Sequence, residues 1–231
     1  MMEIRQATGD DLPVYELIQK TEWGPDMGAS LGQLQHRHDV FPEGIVVVTH
    51  DGEPVGFSTA ILLDAYDPAH GRSWREITAN GWCSTHRPDG DTLFGVDLTV
   101  SRFAPRSTAT MVLKGLMALT MDFDVATFNW GGRMPRYHKY ADTMTAEDYV
   151  AARRPNGRRL DPEIEFYATI PCTDVLGPIP DYFEDPNSLD HGVALRWNNP
   201  VHGVAELHPF VHLIPNLLYH QPVPGSIGEA A

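Results

Sequence analysis

The chain of 231 residues has two cysteines, Cys83 and Cys172. That is too few for a disulfide framework, so both are expected as reduced thiols, buried as small hydrophobes. No run of about 18 apolar residues occurs, the longest candidates being 44–48 and 55–63, and this excludes an apolar membrane-spanning helix. The opening MMEIRQATGDD is too polar for a signal peptide. A soluble, cytoplasmic protein is expected. Basic residues are scarce, 17 Lys and Arg against 31 Asp and Glu, for a formal charge of −14. Nucleic acids and anionic membranes are bound through clustered cationic charge, so neither is an expected partner of the chain as a whole. Metal-ligand spacing is also missing. Of eleven histidines only His36-x-His38 and His208-x-x-x-His212 form close pairs, and no cysteine or carboxylate completes a four-ligand set, so no metal is expected. Internal repeats and low-complexity tracts are absent.

What is present reads as a mixed α/β protein. At 42% apolar and 21% charged residues the composition is that of a globular protein long enough for a sizeable core. A strand over 2–7 leads to Thr8-Gly9-Asp10-Asp11-Leu12-Pro13, a helix start whose apolar stripe is Val14, Leu17 and Ile18 and which Gly24-Pro25-Asp26 ends. The polar stretch 33–38 fits no pattern. Two β-branched runs, 45–49 and 55–63, flank Asp51-Gly52 and predict an antiparallel hairpin. A long polar connection, 64–91, precedes a strand over 92–100. A helix starts near Arg106-Ser107-Thr108, with Val112, Leu116 and Leu119 on one face. Further strands are expected at 123–130, ended by Gly131-Gly132, and at 164–170 and 192–197, with a capped helix from Thr145. Residues 1–200 are expected as one domain. Prolines 209, 215, 222 and 224 puncture the remainder, so 201–231 is read as an extension whose histidines (His202, His208, His212, His220) line a surface groove or a subunit contact.

Chemistry has one natural place. The strand ending at Val100, the loop and the helix start at 102–111 form a junction where free backbone N–H groups and a helix dipole favour an anion, with Arg106, Ser107 and Thr108 at hand. The charges support it. Residues 101–159 carry a balance of +5, leaving −19 on the rest, so cations gather around this junction and the acidic remainder favours a cationic partner. Strand alternation over 92–100 sets Phe94, Val96, Leu98 and Val100 against Gly95, Asp97 and Thr99.

The element order resembles the GCN5-related N-acetyltransferase (GNAT) superfamily. More narrowly, Phe41-Pro42-Glu43-Gly44, Trp74-Arg75-Glu76-Ile77-Thr78, the run Thr85 through Asp97, Gly131-Gly132-Arg133-Met134-Pro135-Arg136-Tyr137-His138-Lys139-Tyr140-Ala141-Asp142 and Leu195-Arg196-Trp197-Asn198-Asn199-Pro200 are similar to an acetyltransferase-like subgroup often fused to carbon-nitrogen hydrolases. The resemblance implies a mostly antiparallel central sheet flanked by helices, and transfer of an acyl group from acetyl-CoA or another acyl-CoA to a small-molecule amine. It implies a donor held by Leu98, Thr99, Val100, Arg106, Ser107, Thr108, Ala109, Thr110 and Asn129. It further implies Asp97 as general base, the other reading being a strand carboxylate that caps a loop, and Tyr137 or Tyr140 as the acid that protonates the leaving thiolate, the other reading being packing residues. The pyrophosphate loop of that superfamily resembles Arg/Gln-x-x-Gly-x-Gly/Ala, whereas Arg106-Ser107-Thr108-Ala109-Thr110-Met111 keeps the first position and neither glycine. A carrier-protein thioester, an aminoacyl-tRNA donor and a non-catalytic binding role therefore stand as alternatives. Trp23, Tyr66, Trp74 and Trp82 mark an aromatic-lined acceptor site, and a homodimer is an allowed assembly.

Overall fold

The structure is a computed structural model that describes residues 1–64 and 71–204. Strand β1 (Met2–Gln6) pairs antiparallel with β2 (Ile45–His50), and β2 with β3 (Glu53–Leu63). Asp51 and Gly52 join that hairpin at φ of 53° and 90°, the two left-handed positions a type I′ turn requires. β4 (Thr92–Val100) lies antiparallel on β3, and β5 (Thr127–Arg133) lies parallel to β4. β7 (Gly192–Asn198) and then β6 (Thr173–Ile179) complete a seven-stranded sheet of order β1-β2-β3-β4-β5-β7-β6. All pairs but one are antiparallel, as the resemblance implied.

Helices cover both faces. Alternation along β2 sends Ile45 and Val47 into a core with α1 (Leu12–Trp23) and α2 (Leu31–Val40), and Val46 into the opposite core with α4 (Thr108–Asp122). Helix α4 is the crossover that a parallel β4–β5 pair needs, and it buries Val112, Leu113, Leu116 and Met117. A short α3 (Trp74–Thr78) packs on the α1 side with Phe94 and Val96, while α5 (Ala146–Ala151) and α6 (Pro162–Ala168) lie between β5 and β6 in the chain. No described helix is long and apolar enough to cross a membrane.

Four expectations are corrected. The stretch 33–38 belongs to α2, whose start is fixed by a reciprocal cap: Ser30 Oγ accepts the Gln33 N–H at 3.3 Å and Gln33 Oε1 accepts the Ser30 N–H at 3.0 Å. The segment 164–170 falls largely on α6 rather than a strand, because Asp161 Oδ1 accepts the N–H groups of Glu163 (2.8 Å) and Ile164 (3.2 Å) and Pro162 fixes the first turn. Strand β6 had no expected counterpart. β5 begins at Thr127 and contains Gly131-Gly132 rather than ending before them; a Cβ on Gly131 would sit 2.1 Å from the Tyr182 ring, so the glycine serves close packing and not a turn. Most of the expected extension, 205–231, lies outside the described residues.

Candidate active site

The β4–β5 ladder is short. It runs from Thr92 opposite Thr127 to Gly95 opposite Trp130 and stops, while β4 stays with β3 to Val100 and β5 stays with β7 to Arg133. The two parallel strands therefore part, and a wedge opens between them. At its apex β4 carries a bulge: Gly95 faces Ala60 and Asp97 faces Thr59, leaving Val96 as the extra residue. A bulge shifts the side-chain alternation by one. Phe94 and Val96 pack toward α3, Asp97 and Thr99 turn to α1, and Leu98 turns to the α4 core. The strict alternation expected from sequence, with Asp97 opposite Val96, is thus corrected by one inserted residue.

Asp97 is held from every side. Its Oδ1 accepts the Thr59 N–H at 2.9 Å and the Tyr15 hydroxyl, and its Oδ2 accepts Gln19 Nε2 and Arg37 Nη1, each at 2.7 Å. Four donors fill the roughly four acceptor sites of a carboxylate. Arg37 is buried, 2% exposed, and its Nε donates to Gly81 O at 2.7 Å. Burial, and then the Asp97 charge, push the Tyr15 hydroxyl well above the ordinary phenol range. The cluster ties α1, α2, β3 and β4 together beneath the bulge.

A cavity of about 170 Å³ occupies the wedge. Leu98, Leu113, Leu116, Phe128 and Trp130 supply apolar lining, and Trp23, Trp74, Tyr182 and Phe183 supply an aromatic wall. Two of these rings are pinned to β4: Trp74 Nε1 donates to Val96 O at 2.7 Å and Trp23 Nε1 to Thr99 Oγ1 at 2.9 Å. Trp130 Nε1 is buried with no hydrogen-bond partner among the described residues. A second cavity of about 260 Å³ is lined by Leu98, Thr99, Val100 and Ala109, and shares Trp23, Leu98 and Arg133 with the first. Arg133 stands where they meet, forked onto Asp185 (Nε to Oδ2 2.8 Å, Nη2 to Oδ1 3.0 Å) with its guanidinium 5.3 Å from the Trp23 ring centroid.

Glu163, at the start of α6, also lines the first cavity. Burial pushes its carboxyl up to about 7, against the pull of Arg133, whose backbone N–H it accepts; nearby Asp161 adds to the rise. No motif pointed to Glu163 in the sequence. The Asp161-Pro162 helix start could have found its helix, but only the fold brings that helix to the wedge.

The residues expected to hold a donor divide. Leu98, Thr99, Val100 and Ala109 are brought together at the second cavity. Arg106 and Ser107 are exposed beside it in sequence, while Thr108 is fully buried, its N–H donating to Pro105 O at 3.0 Å and its Oγ1 without a partner among the described residues. Ala109 and Thr110 follow Thr108 in the first turn of α4, where N–H groups have no partner within the helix. Asn129 lies elsewhere: buried, it donates to Thr92 Oγ1 (2.7 Å) and Thr127 Oγ1 (2.9 Å) and accepts Arg196 Nε (3.2 Å), joining β4, β5 and β7. Tyr137 and Tyr140 pack around Tyr149, with ring centroids 5.2 and 5.5 Å away, and line neither cavity. Of the expected aromatic acceptor residues, Trp23 and Trp74 line the cavity, Trp82 does not, and Tyr66 lies outside the described residues.

No family model matches the chain. Individual relatives do. The chain is 30% identical over 203 residues to the uncharacterized N-acetyltransferase YkwB of Bacillus subtilis, covering 86% of this chain and 89% of that one. The chain belongs to the GCN5-related N-acetyltransferase superfamily. It is 29% identical over 173 residues to the probable hydrolase YhcX of the same organism, of whose length the GNAT chain spans 32%. Among solved structures, this GNAT fold matches the loading GNATL domain of CurA from Lyngbya majuscula at a TM-score of 0.73 and 14% identity, over 86% of this chain and 98% of that one. It matches the GphF GNAT-like decarboxylase in complex with isobutyryl-CoA at 0.71 and 24% identity, over 85% and 99%. At such identities the structural matches speak to the fold. As a GNAT member the protein is an enzyme of the acetyltransferase type.

Proposed function

We propose that this GNAT enzyme moves a short acyl group, acetyl in the simplest case, from acyl-CoA to the amine of a small molecule within a ternary complex. The observation that carries the reading is the parting of β4 and β5 beyond Gly95 and Trp130, which opens two joined cavities beside the first turn of α4. A pantetheine arm fits along 98–100 as an added strand would, on backbone groups that have no β5 partner. Its diphosphate falls at the α4 start, near Arg106, Ser107, Ala109 and Thr110, where N–H groups and the helix dipole favour an anion. Bound there, the donor supplies an activated thioester carbonyl. The side chains of the chain then orient the acyl group among Leu98, Leu113 and Phe128 and exclude water from it.

Asp97 serves this site as a positioning residue. With its acceptor sites filled by four donors, it fixes the bulge and the α1 wall rather than taking a proton.

Thermal melting tests the donor. Acetyl-CoA at one hundred times its Kd stabilises by about 2.7 kcal/mol, or roughly 5–11 °C for a domain of this size. An unchanged melting curve at millimolar acetyl-CoA would remove the reading. A second reading, chemistry on a carrier-protein thioester or another thioester reaction, is favoured by two observations: the loop at 106–111 keeps neither glycine, and the matched structures at 0.73 and 0.71 are a loading domain and a decarboxylase. A pantetheine-loaded carrier protein that shifts the melt where free acetyl-CoA does not would select it.

A further inference from the structure

We propose that the acceptor is a single-charged primary amine on an aromatic-sized apolar body, its ammonium seated on Glu163, which takes its proton. This rests on the acyl-transfer reading above.

Among the described residues three charged side chains line the first cavity: Asp97, Arg133 and Glu163. Asp97 has no acceptor site left, with Tyr15, Gln19, Arg37 and Thr59 all donating to it. Arg133 has its fork on Asp185. Glu163 accepts one backbone N–H, from Arg133, and keeps the rest of its acceptor capacity for a ligand. Among the described residues the cavity therefore offers one uncompensated ionic partner, and that partner is an acid. Around it stand Trp23, Trp74, Tyr182 and Phe183. Among the described residues a diamine would bury a second cation against rings with no further counter-charge, and an amino acid would bury a carboxylate with no uncompensated cation to meet it; either is costly in an apolar site. An aromatic or branched monoamine leaves nothing unpaired.

The proton path is short. Glu163 takes one proton from the ammonium; the freed nitrogen bonds to the acyl carbon as the carbon–sulfur bond breaks. The second nitrogen proton goes to the departing thiolate, and Glu163 returns its own to solvent. A carboxyl that titrates near neutral pH is matched to that cycle. The charged groups that face it are Arg133 on β5, Asp161 at the cap of its own helix and Asp185 between β6 and β7.

The test compares tryptamine, phenylalanine and putrescine as acceptors with acetyl-CoA, following CoA thiol release, and measures tryptamine binding to the CoA-loaded protein by calorimetry. Tryptamine should exceed the other two at least tenfold in kcat/KM. Glu163→Gln should weaken tryptamine binding and cut its kcat/KM at pH 8 at least tenfold, abolish the limb of the pH profile near 7, and leave the affinity for CoA within twofold. Equal or better use of putrescine or phenylalanine, or an unchanged pH profile in Glu163→Gln, overturns the proposal. A CoA-induced melting shift with neither tryptamine binding nor turnover overturns it alone, whereas no shift with CoA brings down the donor reading as well.

Discussion

Asp97→Asn separates anchoring from catalysis. The carboxylate accepts Tyr15 and Thr59 on one oxygen and Gln19 and Arg37 on the other. An amide can satisfy only one of those pairs. If its oxygen faces Thr59, its NH₂ meets the NH₂ of Gln19 and the guanidinium of Arg37; if it flips, its NH₂ meets the Thr59 N–H. In either pose Arg37, 2% exposed, loses its counter-charge. Breaking a buried ion pair from one side costs about 3–5 kcal/mol, which corresponds to a fall in melting temperature of roughly 6–20 °C for a domain of this size. Urea and thermal melts of the variant give the loss directly, and thiol release with acetyl-CoA, measured well below the variant's melting point, should stay within about tenfold of the parent. A variant as stable as the parent to within about 1 kcal/mol, yet slowed a hundredfold, would refute the anchoring argument and make Asp97 the base.

Three further outcomes follow from the same geometry. The Glu163 carboxyl is raised from 4.5 to about 7, so its favourable protonated state is fully present below pH 4.5 and is lost as pH rises through 7; the stability of Glu163→Gln relative to the parent should therefore grow by about 3 kcal/mol between pH 4 and pH 8, and parallel pH–stability curves would contradict it. Gly131→Ala places a Cβ 2.1 Å from the Tyr182 ring, so it should destabilise by about 1–3 kcal/mol and disturb acceptor KM, read by melting and steady-state kinetics. Arg106→Ala, at an exposed position beside the α4 start, should weaken CoA about threefold to tenfold at low salt and less at 0.5 M salt, where calorimetry would find the gap closing.

The sheet was largely legible in the sequence because its signals are local. The Asp51-Gly52 turn between β-branched runs declares the β2–β3 hairpin, and Val112, Leu116 and Leu119 declare one face of α4. Where tertiary contacts decide, the sequence misleads. Gly131-Gly132 read as a strand end because glycine usually breaks strands, but the Tyr182 ring over Gly131 and Leu195 beside Gly132 make them part of β5. The β4 bulge has no residue signature, so a regular alternation misplaced Val96 relative to Asp97. For the candidate site, 98–100 and Ala109, which line the second cavity, could be reached through a resemblance tied to one strand-to-helix junction. Tyr137 and Tyr140 follow β5 at the expected distance, but they turn onto Tyr149 and line neither cavity. Glu163 was invisible, since its environment is assembled from β5, the Asp161 cap and the segment that carries Asp185, and no window of sequence contains all three.

The wedge between β4 and β5 is the centre of the account, and the structure of the complex with acetyl-CoA tests it most directly. The pantetheine chain should lie along 98–100 with its thioester at the fork beyond Gly95 and Trp130 and its diphosphate at the first turn of α4. Density for the ligand outside the wedge, or an empty wedge at saturating acetyl-CoA, would contradict it.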